Sequence, residues 1–455
     1  MPAPSTTLLI EGSFSELADE FAAYLDALHK SEDSSLQTDL APLLQPLREQ
    51  EQNEIQIDQS KRDEVLKKLV GAASVLNTAP EKEITPAYNL LIHLVQQASD
   101  PDVFLSRICS YLAKPVASSP QFGPSLAIAI LSTIFNTLAP SDSSRFHVLL
   151  AVVAVIRQSG SSAAFDALKP QLTAQLPNWR SAWELDDEEA RRLHLAIADA
   201  AQTAGDLDWS QAHVVEALQT IPPAEASSKA ARNLAVRALT SALTHPAVFD
   251  FTPLTAADAV QALRSSDPAL FELLEIFTAD TVDAYEDFIS TTPVANILPD
   301  NALTPYADAL QIKIRLLTLA SLAAAATTTT GPAARSLSYD TIASSLRVPQ
   351  DEVEKWVIDT IRAGLVEGKL SQLRSEFLVH RATYRVFGEK QWAEVQGRLM
   401  VWRRSLENVL SVIRSERERF VREAAAATAA AAAEEKGDKG KTERRRALQE
   451  VAAAE

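Results

Sequence analysis

The sequence predicts a mainly α protein: a helical-repeat solenoid, then a winged-helix module, then one long C-terminal helix. Three observations predict it. Apolar residues recur at helical spacing through most of the first 335 residues. Between Ser338 and Arg381, two short helical patterns are followed by two short strand patterns. From Trp392 to Ile413 the apolar positions step alternately by three and four residues, the pattern of a heptad seam.

The first helix is legible from Phe14, Leu17, Phe21, Leu25 and Leu28, headed by Ser13 and Glu16 at capping-box spacing. Similar stripes occupy Val65–Leu76, Tyr88–Val95, Phe104–Leu112, Leu126–Leu138, Val148–Ile156, Leu193–Ala200 and Leu234–Leu243. Thr85-Pro86, Asp100-Pro101, Asp267-Pro268 and Thr304-Pro305 read as helix starts, with a capping residue before a proline whose missing N–H would have no partner there. No strand pattern persists before residue 366. Many helices with short joints suggest a solenoid of helical hairpins, and a mixed helical bundle satisfies the same pattern. Polar or proline-rich stretches at Ser31–Ser35, Ala113–Pro124 and Thr327–Arg335 read as joints, the last with Gly331-Pro332 as a breaker.

In the module, Ile342 and Leu346 share one face of a helix over Ser338–Leu346. Val353, Trp356, Val357 and Ile361 share one face of a second helix over Pro349–Ala363. A winged helix that reads DNA carries basic residues on its second helix. Here that helix offers Glu352, Lys355, Asp359 and Arg362, unlike charges three or four residues apart that pair with one another. Direct nucleic-acid binding is therefore not expected. The strands Val366–Gln372 and Glu376–Arg381 form a hairpin whose outer backbone edge is a template for a partner chain, with Leu370, Phe377 and Val379 as its apolar residues.

The segment Tyr339–Gln372, ending Glu-Lys-Trp-Val-Ile-Asp-Thr-Ile-Arg-Ala-Gly-Leu-Val-Glu-Gly-Lys-Leu-Ser-Gln, resembles the winged-helix end of a PCI domain. That family scaffolds the proteasome lid, the COP9 signalosome and eukaryotic translation initiation factor three. Leu316–Leu322, Asn89–Val95 and Arg385-Val-Phe-Gly-Glu-Lys-Gln-Trp392 are more similar to the initiation-factor branch. The resemblance is specific between about residues 310 and 410 and diffuse upstream. It implies a solenoid with a C-terminal winged helix, winged helices packed side by side into an arc, and long C-terminal helices bundled with MPN-type subunits. It implies action at the small ribosomal subunit, in preinitiation-complex assembly and mRNA recruitment. A PCI subunit of the lid or the signalosome, or a nucleic-acid-binding winged helix, are the alternative readings.

The last helix supports assembly without that resemblance. Trp392, Val395, Leu399, Trp402, Leu406, Val409 and Ile413 form its seam, and from Lys390 to Arg422 it would be about 50 Å long at the standard rise. A seam of that length calls for a second chain to cover it. Beyond it come an alanine run and a charged, low-complexity tail expected to be disordered. The organisation expected is a helical-repeat region over 1–205, the helical and winged-helix parts of a PCI domain over 206–335 and 336–383, the long helix over 384–423 and the tail over 424–455.

Charge and composition bound the function. The chain has 455 residues and a net charge of −17. Residues 1–335 hold 22 Lys/Arg against 41 Asp/Glu, a net of −19, and would repel a polyanion. Residues 336–420 net +2. One cysteine, Cys109, allows no internal disulfide and no thiolate metal cluster. Met1-Pro2-Ala3-Pro4 does not open a secretory signal, and the apolar runs Val148–Ile156 and Leu316–Ala326 are too short to span a bilayer. A cytoplasmic protein without a membrane partner is expected. No phosphate loop, GxGxxG or HExxH is present, and the seven histidines are isolated from one another in the sequence. His93 and Cys109 lie on apolar stripes and read as core residues. Asp186–Glu189 reads as a helix N-terminus, and Arg444–Arg446 as part of a solvated tail. No catalytic residue, metal or cofactor is expected.

Overall fold

The structure is a computed structural model that describes residues 11–29, 35–53, 58–116, 119, 121–298, 303–328, 335–386 and 388–452. Most of the joints at 31–35 and 327–335, and residues 117, 118 and 120 of the joint at 113–124, lie outside the described residues.

The first helices are α1 (Phe14–His29), α2 (Leu36–Gln52), α3 (Gln59–Ala72), α4 (Glu81–Val95), α5 (Pro101–Leu112), α6 (Gly123–Thr137), α7 (Ser144–Ser159), α8 (Ser162–Ala182), α9 (Asp187–Ala204) and α10 (Leu207–Gln219). Next come α11 (Lys229–Thr244), the short turns α12 (Thr252–Thr255), α13 (Asp258–Gln261) and α14 (Leu263–Ser266), then α15 (Pro268–Ala279), α16 (Val282–Thr291) and α17 (Ala307–Thr328). Helices pack mainly on the next or next-but-one helix: α5 on α7, α7 on α9, α9 on α10, α10 on α11. This is the nearest-neighbour packing of a solenoid.

Local chemistry explains most helix starts. The Ser13 hydroxyl accepts from the Glu16 N–H while the Glu16 carboxylate accepts from the Ser13 N–H. Asp186 and Glu189 make the same reciprocal pair at the head of α9, so the acidic run there is a cap. The Thr85-Pro86 expectation is corrected: α4 begins at Glu81 and Pro86 lies inside it. Glu81 and Glu83 already supply the acidic first turn that favours a start there.

Four buried apolar clusters run along the chain, each coupled to the next by a shared helix. α7 gives Val148, Ala151 and Val155 to the first, and Phe146, Leu149, Val153 and Ile156 to the second. α9 gives Leu193 and Ile197 to the second and Ala198 to the third. α17 gives Leu310, Ile314 and Leu317 to the third, and Leu316, Leu319, Ala320 and Ala323 to the fourth. A helix that serves two cores must be apolar on two faces. For that reason Thr304–Thr327 is the one described stretch long and apolar enough to cross a bilayer, although it is largely buried in the protein.

The fourth cluster is the core of the winged-helix module: α18 (Tyr339–Leu346), α19 (Val353–Arg362) and strands β1 (Ser336–Ser338), β2 (Val366–Ser371) and β3 (Glu376–Ala382). Because α17 supplies part of that core, the module is one body with the helices before it. One compact unit ends at Arg385, and a second begins at Val386 and is essentially the helix α20 (Glu389–Ala452). The first unit is continuous across residue 205, where Gly205 (φ 88°) turns α9 into α10.

Candidate assembly interface

Two elements carry the candidate interface: the winged-helix module and the helix α20.

In the module, the Ser338 hydroxyl accepts from the Thr341 N–H and starts α18. Val353, Trp356 and Val357 turn one face of α19 into the core. Gly364 (φ 73°) turns the chain out of α19 into β2, a left-handed position that favours glycine. The sheet has three strands in the order β1-β3-β2, all antiparallel. This corrects the two-stranded hairpin expected from the sequence. β1 pairs Ser336, Leu337 and Ser338 with Leu378, Phe377 and Glu376. With three residues and one apolar side chain, it is too short to show a period.

The added strand makes β3 central and leaves the outer edge of β2 as the longer backbone edge. It also corrects two side-chain assignments. Phe377 and Val379 are 0% and 1% exposed, inside the module's core, because a central strand lays its apolar side chains on the helices behind it. Leu370 is partly buried against the same core. The outward apolar residue is instead Leu373, 99% exposed at the hairpin tip. An apolar residue inside the turn Gln372-Leu373-Arg374 was the sequence signal for it, since turns favour polar residues.

Gly368, within the segment that resembles the PCI family, has a packing reason. A Cβ there would lie 2.4 Å from the Leu378 carbonyl oxygen and 2.6 Å from the Phe377 ring. Gly368→Ala is expected to cost about 1–3 kcal/mol, read as a lower thermal midpoint of the full chain; an unchanged midpoint would contradict this account of the strand pair. On α19, Asp359 and Arg362 pair at 3.6 Å, while Glu352 accepts from the Trp356 indole N–H at 3.4 Å. The charged residues beside the core are thus held partly by a salt bridge and partly by the hydrogen bond from Trp356.

Where the first unit ends, Arg385 is half-buried against the last turn of α15. It donates to the carbonyls of Ile276 (3.0 Å), Phe277 (2.5 Å) and Asp280 (2.6 Å). Burial lowers its guanidinium to about 10, with Asp280 opposing that shift. Lys313 on α17 does the same for α11. Its Nζ donates to the carbonyls of Ala242 (2.6 Å), Leu243 (3.3 Å) and His245 (2.7 Å). Helix C-termini leave carbonyls without partners, and a cation satisfies both their hydrogen-bonding capacity and the helix dipole.

The second unit is a helix of 64 residues, about 96 Å long at 1.5 Å per residue. It therefore continues well past Arg422, and residues 424–452 are helical where a disordered tail was expected. Alanine is the strongest helix former and fills much of 424–433. The Gly388 N–H donates to the Gln391 side chain at the helix start. Seam residues Trp392, Leu399, Trp402, Leu406, Val409 and Ile413 are all exposed, and Val395 is half-buried. Charges beside the seam pair within the helix, Arg403 with Glu407 and Arg419 with Glu416 and Glu423.

The heptad reading missed Met400, Val401, Leu410 and Val412, which are exposed too. At about 100° per residue, Leu410 joins the seam, while Val401 and Val412 lie roughly 120° round from its centre. The helix therefore offers one apolar strip, with Val401 and Val412 as isolated apolar residues on another face.

Chemistry elsewhere is sparse. Cys109 is buried and its thiol is pushed up to about 12 by burial, as befits a core residue. His93 is half-buried beside Gln97. The isolation of the histidines is corrected: His194 and His213 stack, with ring centroids 5.3 Å apart.

Comparison with known proteins bears on these two elements directly. The PCI domain family matches residues 291–380, and the family described as eIF3 subunit M, C-terminal helix, matches residues 385–413. The chain is 89% identical over its whole length to the full-length Eukaryotic translation initiation factor 3 subunit M of Emericella nidulans. It is 77% identical to that of Aspergillus terreus, over 93% of this chain and 90% of the relative, and 63% identical to that of Coccidioides immitis, over 94% and 91%.

Proposed function

The chain belongs to the family of subunit M of eukaryotic translation initiation factor 3, and on that premise we propose how it acts within that complex. It is a non-catalytic scaffold subunit of initiation factor 3, with the PCI domain and C-terminal helix of its family. Its contacts divide between the two elements described above. The β2 edge and the Leu373 tip meet a neighbouring PCI subunit by strand addition and apolar contact. The stripe on α20 enters a helical bundle formed with other PCI and MPN-type subunits. Through those contacts the subunit helps assemble the small-ribosomal-subunit preinitiation complex and recruit mRNA in the cytoplasm. The proposed organisation is a helical-repeat region over 1–205, a PCI domain over 206–385 and a bundle helix from 389.

The single observation that carries this reading is the exposed apolar stripe from Leu399 to Val421. Contiguous apolar surface of this kind marks a protein interface. The lid and signalosome readings have no observation of their own here. A DNA- or RNA-reading α19 is not supported either, since Asp359 neutralises Arg362.

Cross-linking mass spectrometry on the native complex tests the division of contacts. Cross-links from Lys369 are expected to reach another PCI subunit, and those from Lys390 more than one helical neighbour. Cross-links from both lysines confined to this chain would contradict it.

A further inference from the structure

His194 on α9 faces His213 and Glu216 on α10, one helical turn apart. Their Nδ1 atoms are 3.0 Å from each other, and the Glu216 Oε2 is 3.0 Å from the first and 3.2 Å from the second. Both imidazoles are largely buried, with side-chain exposures of 12% and 8%. The Glu216 side chain is half-exposed and, with His194, borders a cleft of about 760 Å³ that Asp187 and Thr220 also line.

With Glu216 ionised, no placement of protons satisfies this triangle. The carboxylate only accepts. If both Nδ1 atoms carry protons for Glu216, two N–H groups face each other. If one does, the other ring turns a lone pair toward the carboxylate oxygen. A cation between the three atoms removes both conflicts.

We propose that His194, His213 and Glu216 bind a divalent transition metal of the zinc type, which braces α9 to α10. Zinc takes imidazole nitrogen and carboxylate oxygen at about 2.0–2.2 Å, which sets tetrahedral ligand atoms about 3.3 Å apart. The triangle therefore needs to open by only about 0.1–0.3 Å, with the ion about 0.7 Å out of its plane and water as the fourth ligand. Two nitrogens and one oxygen select such a metal over calcium or magnesium, which prefer oxygen alone. The brace sits where the second and third cores meet, between two helices that both touch each of them.

The full chain, stripped with a chelator, is titrated with zinc chloride by calorimetry and with cobalt chloride by visible absorption. One zinc per chain, the strong absorption of a tetrahedral cobalt site, and a thermal midpoint that rises with zinc and falls back with chelator are expected. Glu216→Gln keeps shape at a half-exposed position and is expected to weaken zinc binding about tenfold or more, with helical content unchanged by circular dichroism. His213→Gln removes the cobalt spectrum. Absence of saturable zinc binding at micromolar concentrations would overturn the proposal. So would a zinc affinity unchanged by Glu216→Gln in a folded chain, since the metal would then sit on other histidines.

Discussion

Trp402→Ala and Leu406→Asp are each expected to release the protein from the initiation factor 3 complex while leaving it folded. Both side chains are about two-thirds exposed, at 67% and 64%, so neither holds a core together. Truncating a tryptophan at the centre of an interface costs about 2–4 kcal/mol, roughly 30- to 1,000-fold in affinity. The aspartate additionally places an unpaired charge in an apolar contact. Recovery of partner subunits with the tagged variants should fall accordingly, with circular dichroism unchanged. Full recovery with both variants would remove α20 from the interface.

Lys313→Met is expected to act in the opposite way, on the fold rather than on assembly. The ammonium is 4% exposed, holds the last carbonyls of α11, and lies 5.7 and 5.3 Å from the rings of Phe249 and Phe251. Burial pushes it down to about 7. The carbonyls, the C-terminal end of the helix dipole and the ring faces favour the charged form and oppose that push. Methionine fills much of the volume and supplies no donor, so the carbonyls of Ala242 and His245 become buried and unpaired at about 1–3 kcal/mol each. The expected loss is therefore about 2–6 kcal/mol, seen as a clearly lower thermal midpoint. An unchanged midpoint would show that water, not Lys313, serves those carbonyls.

How much of this was legible in the sequence depends on range. The winged helix was legible because its signals are local: apolar pairs three and four residues apart on two short helices, and two short strand patterns after them. The seam of α20 was legible for the same reason. Three features were not. β1 is three residues long and is defined by pairing with a strand forty residues away, so no period announces it. Phe377 and Val379 looked like edge residues until β1 made β3 a central strand. His194 and His213 lie nineteen residues apart, and only the turn at Gly205 brings them together. His213 and Glu216, at helical spacing, were the half of that cluster a sequence could show. Lys313 and Arg385 teach the same lesson, since a cation in an apolar stretch signals burial but not which helix end it caps.

The central claim is that this chain is a scaffold of initiation factor 3, and purification of the tagged full chain under native conditions, followed by mass spectrometry, tests it most directly. The account predicts stoichiometric recovery of the other initiation factor 3 subunits. Recovery of proteasome-lid or signalosome subunits without them would contradict it.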